Sequence, residues 1–231
     1  MKGRPILFSL EGNALSPEKI NQEIVDFGDS YNNTVQATIK DSRELKLNQE
    51  VFIRSAARIL SNFKMTRGGT FKGLEITEDG DNKGKEVLLN CWKAIGDNLI
   101  EIKKSMPEDK HSRDRYLLLL SQSEREELIT KIWFMTKELL PFTMGKTSYG
   151  LVGASKILFA ILPEIVLPID NTMWLKVFQT VDMSDVINRM VSDTREWENT
   201  TQQKLNEMDS SKRLTTVVSV YNVMAMAARK D

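Results

Sequence analysis

Lys156 and Asp170 bracket an apolar run in the stretch GLVGASKILFAILPEIVLPIDNTMW, residues 150–174. An amine and a carboxylate held together suit a limited set of reactions. A carboxylate in a water-poor cleft stabilises positive charge developing on a reacting carbon, or takes a proton from water. A lysine amine whose charged form is disfavoured by burial becomes a nucleophile toward carbon. Lys156 follows a glycine-containing bend, and Asp170 follows Leu-Pro-Ile where a new helix should begin. Both also have ordinary readings. Aspartate is a good helix N-cap, and a lysine in a first turn can sit in solvent or hold a phosphate.

The composition removes other chemistries. Cys91 and His111 are each the only residue of their type among 231, so an intrachain disulfide, a conventional zinc site and a four-cysteine iron–sulfur cluster are excluded. No cofactor is expected. Thirty-two basic residues balance 32 acidic ones, so any polyanion must be met by a local patch. The opening MKGRPILFSLEGN is too soon interrupted for a signal peptide, and no apolar stretch approaches a membrane span. The expectation is a soluble cytoplasmic monomer.

Positive charge is concentrated locally. Residues 51–74 contain no acid but hold Arg54, Arg58, Lys64, Arg67 and Lys72, and a second acid-free stretch, 139–163, holds Lys146 and Lys156. Arg54 and Arg58 are four apart, on one helix face, where they can meet one strand of phosphates. A solvated helix face followed by a loop is the plainer reading.

The elements that must position these residues read as helical almost throughout. Ser16-Pro17-Glu18 is a cap followed by proline and opens a helix toward Ser30. Apolar residues recur at helical spacing over 46–63, 87–106 and 211–229. Ser123 and Glu126 form a capping-box pattern for a helix ending at Pro141. Shorter helices are expected from Gly153, Asp170, Ser184 and Asp193. The glycine-rich remainder of segment 51–84 predicts a loop or small hairpin. Tryptophans 92, 133, 174 and 197 and the methionines read as core.

Tyr149-Gly150-Leu151-Val152-Gly153-Ala154-Ser155-Lys156, the apolar run, Leu167-Pro168-Ile169-Asp170 and Met173-Trp174 together resemble the helix-hairpin-helix DNA glycosylase superfamily, in its lysine-bearing branch. The likeness covers roughly 145–178. It implies an all-α fold of two closely packed helical lobes with a helix-hairpin-helix motif and a DNA cleft between them, forming one compact protein. Asp170 would be the catalytic aspartate and Lys156 the sugar-attacking lysine. Gly150, Gly153 and Ser155 would grip a phosphate, with Lys146, Arg54, Arg58, Arg67 and Lys72 also on DNA. The implied partner is double-stranded DNA with a modified or damaged base, which is flipped and excised. A hypermodified cytosine of phage DNA would make the chain a defence enzyme. The link from Lys156 to Asp170 is about a helical turn shorter than in the lysine-bearing enzymes, which favours attack by water over a Schiff base. The rival readings are a non-catalytic DNA-binding module and a helical protein-interaction factor.

Overall fold

A computed structural model of the chain describes residues 3–67, 69–71, 83–144 and 150–229, with the side chains of Arg67, Gly69 and Lys83 outside that description. Ten α-helices carry the described fold: α1 Pro17–Phe27, α2 Asp29–Glu44, α3 Gln49–Asn62, α4 Lys83–Ser105, α5 Lys110–Asp114, α6 Tyr116–Leu119, α7 Gln122–Thr143, α8 Gly150–Ile161, α9 Met183–Thr201 and α10 Val217–Ala228. A six-residue π-helix, Met173–Phe178, follows Asp170. Among the described residues the only β-pairing is an isolated bridge between Phe8 and Ala14. The fold is all-α, as the periodicity predicts, and no described helix is long and apolar enough to cross a membrane.

Helix α8 is the hub. It packs on α3 and α7, and ten of its residues from Val152 to Ile161 are buried. A helix that is apolar on every side can be stable only in this central position. α3, which packs on both α8 and α4, buries Phe52, Ala56, Ile59 and Leu60, the stripe expected from their spacing. The buried residues of all the elements form one continuous core.

Several boundaries differ from expectation. α2 is absent from the sequence reading because its inward face carries Asn32, Thr38 and Ser42 beside only Val35 and Ile39. Gly28, at φ 100°, makes the sharp break between α1 and α2. The capping box of α7 is Ser121 with Glu124, one Ser-x-x-Glu match earlier than expected. Pro141 lies inside the last turn of α7 instead of ending it. Asp193 starts no helix of its own. It lies within α9, where its carboxylate accepts the Tyr221 hydroxyl at 2.7 Å. Trp174 and Trp197 are core, whereas Trp92 and Trp133 are only partly buried.

Candidate functional site

The glycines of the quoted stretch do not form a turn. Helix α8 already begins at Gly150, so Gly153, Ser155 and Lys156 are helical and buried. A Cβ on Gly150 would stand 2.4 Å from Met144 Cγ, and one on Gly153 would stand 3.1 Å from both Phe71 and Thr143. Their absent side chains let α8 lie close against the end of α7. Both glycines are buried and serve helix packing within α8. The connection from α7, residues 145–149, includes Lys146 and lies outside the described residues, as do Lys72 and the rest of 72–82.

Ser155 is likewise a clasp, not a phosphate contact. Its hydroxyl accepts the Ile169 N–H at 3.1 Å, with the carbonyls of Val152 and Ile169 at 3.0 and 3.2 Å as acceptors for its proton. Ile169 immediately precedes Asp170, so this contact sets where the aspartate begins the next helix. The non-helical segment 162–169 is buried throughout, and its backbone and charge must therefore find partners. Glu164, 1% exposed, accepts Arg113 Nε at 2.9 Å and Arg43 Nε at 3.4 Å. Lys103 donates to the Ser42 hydroxyl at 2.6 Å, and Arg43 also pairs with Asp114. Segment 162–170 is thus fastened at both ends.

Asp170 caps its helix as expected. Oδ1 accepts the Met173 N–H at 2.8 Å, and the main-chain carbonyl accepts Trp174 N–H at 3.0 Å. Oδ2 pairs with Arg229, just beyond the last turn of α10. The two side chains are 29% and 32% exposed, respectively, so the pair lies at the surface edge of the core. The π-helix that follows turns Trp174 inward and leaves Leu175 exposed. Wide π turns recur at functional positions because they re-aim side chains.

Lys156 is 7% exposed. Desolvation lowers its ammonium pKa to about 8, opposed by the Asp170 charge and reinforced by Arg229. It forms no ion pair with Asp170; its Nζ stands 5.7 Å from the centre of the Phe63 ring. Phe63 stacks on Tyr31 at 5.5 Å and on Phe159 at 6.3 Å.

The basic segment is divided by the fold. Arg54 is exposed on α3. Arg58 is engaged with Asp41 at 2.7 Å, so much of its charge is already neutralised. The main chain of Arg67 lies in a short 3₁₀ turn.

Arg4 ties the supporting elements together. Its amide donates to Val177 O at 2.9 Å, at the end of the π-helix, and its guanidinium donates to Ala228 O at 3.0 Å, at the end of α10. A cavity of about 620 Å³ lies beside it, lined in part by Ile6, Phe8, Met224, Ala227 and Ala228. At about 100° per residue, those α10 positions face away from Asn222, Met226 and Arg229, which share an arc of about 60°. The cavity is therefore on the opposite side of α10 from Asp170.

Sequence reasoning missed Arg229 and Phe63, and no local spacing signalled their place beside Asp170 and Lys156. No family model, curated protein or solved structure matches the chain.

Proposed function

We propose that the chain is a DNA glycosylase that excises a modified or damaged base by attack of water and leaves an abasic site. The observation that carries this reading is the pairing of environments around Asp170 and Lys156. A carboxylate is fixed at a helix start by Met173 N–H and Arg229, beside a buried amine with pKa lowered to about 8. Titratable groups held in contrasting environments are a recurrent mark of acid–base and electrostatic catalysis.

In this mechanism the C1′–N bond breaks with its electron pair leaving on the base. The Asp170 carboxylate stabilises the positive charge that develops on the sugar, water adds to C1′, and the water proton passes to the carboxylate. Lys156, too buried to serve as an open phosphate contact, supplies positive charge that favours departure of the electron pair on the base, while Met173 N–H and Arg229 hold the carboxylate. Exposed Arg54 supplies phosphate affinity. The test is incubation with duplexes carrying a panel of oxidised, alkylated and hypermodified bases, followed by alkali. Strand scission that requires alkali supports the reading; no scission on any duplex overturns it.

One observation favours a second reading, a non-catalytic helical module. Both oxygens of Asp170 are occupied, so the aspartate also works as a staple holding α10 to the start of the π-helix. Under that reading Asp170→Asn lowers stability and changes no reaction.

A further inference from the structure

Both carboxylate oxygens of Asp170 are engaged by the chain itself. Oδ1 accepts the Met173 N–H at 2.8 Å, and Oδ2 pairs with Arg229. The proposed reaction needs one oxygen turned toward the sugar and water, so one contact must open. Opening the cap would strand a main-chain N–H where Met173 and Trp174 are both buried. Opening the ion pair returns to water two side chains that are already 29% and 32% exposed, and pairs of that kind are weak. The difference selects Oδ2.

A released guanidinium needs another acceptor. Arg229 is the C-cap residue of α10, where the carbonyl end of the helix favours a cation. Among the described residues its guanidinium bonds only Asp170. The charges that act on Lys156 are those of Asp170 and Arg229. Two cations and one carboxylate leave this trio net positive, so the group that complements it is an anion. An arginine fork matches a phosphate in a bidentate contact, a geometry that a single carboxylate oxygen does not supply.

We propose that Arg229 is a DNA contact and a latch on Asp170: a backbone phosphate draws the guanidinium away, and the freed Oδ2 turns to the sugar. This rests on the glycosylase reading and adds a phosphate contact and a control to that same site. The hold of Arg229 on the carboxylate is then the resting state, and it ends only when a phosphate arrives in register. No covalent bond changes in this step; the guanidinium exchanges a carboxylate for a phosphate. Lys156 is the cation of the trio that stays. Oδ1 keeps its cap, so the carboxylate pivots about a fixed point.

The test measures binding of the full chain, by fluorescence anisotropy across a salt series, to a duplex carrying a tetrahydrofuran abasic analogue. It compares wild type, Asp170→Asn, Arg229→Gln and the double variant. In the wild type the latch must open on binding. Asp170→Asn opens it in advance and should bind about two- to fivefold more tightly, the range of a half-exposed ion pair. The gain should require Arg229 and disappear in the double variant relative to Arg229→Gln. Relief of simple repulsion between a carboxylate and DNA would help at least as much without Arg229, so a gain that persists there overturns the inference. Arg229→Gln should also flatten log K against log salt by about 0.9, one phosphate. Unchanged affinity in folded Asp170→Asn overturns the inference alone. Where Asp170→Asn does not fold, an unchanged salt slope in Arg229→Gln overturns it. A wild type that does not bind the duplex at low salt overturns the glycosylase reading and the inference with it.

Discussion

Arg229 and Asp170, 59 residues apart in the chain, form an ion pair that joins the end of α10 to the start of the π-helix. The pair makes the two side chains separable by mutation. Asp170→Asn keeps a cap for Met173 N–H but removes the charge, so base release should fall by at least about 10²-fold while DNA binding persists. The half-open pair contributes at most about 1 kcal/mol, and urea unfolding should register no larger loss. Asp170→Asn with wild-type activity on a proven substrate would return Asp170 to a purely structural role.

Lys156 should act without a covalent bond to the sugar. Borohydride should trap no adduct, and strands should stay uncut until alkali is added. Lys156→Met should slow base release on the order of 10²-fold through weaker stabilisation of the electron pair leaving on the base. An adduct that forms with wild type, increases as pH rises through about 8 and vanishes in Lys156→Met would establish a Schiff base instead.

Salt titration separates the arginines. Replacing Arg54, Arg58 and Arg67 together with glutamine should flatten log K against log salt by about 0.9 for each phosphate that the variant no longer engages. Arg54→Gln alone should give a full step. Arg58→Gln should give less, because its guanidinium is already on Asp41. An unchanged slope in the triple variant would assign α3 to solvated surface.

Glu164→Gln should destabilise the chain by about 3–5 kcal/mol, measured by urea unfolding, because Arg43, Arg113 and Lys103 would remain clustered with less neutralising charge. Destabilisation below about 1 kcal/mol would show that Asp114 alone holds the cluster.

Stability should rise from pH 8 to 9. Burial lowers Lys103 and Lys156 from the ordinary 10.5 to about 8 each. For Lys103 the opposing charge is Glu164, with Arg113 and Arg43 adding to the lowering; for Lys156 these are Asp170 and Arg229. Above pH 8 the unfolded chain binds more protons than the folded one, so each lysine adds on the order of 1 kcal/mol per pH unit. Burial pushes Cys91 up to about 12 and raises Tyr31 and Tyr221, which oppose this trend once pH passes their ordinary values of 9 and 10. Lys103→Met should remove about half of the slope between pH 8 and 9; an unchanged slope would place its source elsewhere.

The sequence by itself determined the all-α class, the core stripes of α3, α4 and α10, and Asp170 as a helix start. Each depends on residues within about one or two turns, so local spacing and capping chemistry suffice. It also singled out Lys156, but not its burial. The same local logic did not show that the missing side chains of Gly150 and Gly153 serve packing against Met144 and Thr143. It passed over α2 because a polar inward face hides helical periodicity. Tertiary structure alone brought Arg229 to Asp170 and Phe63 to Lys156. Desolvation and ion pairing depend on which distant segments exclude water from a point, and no spacing along the chain encodes that.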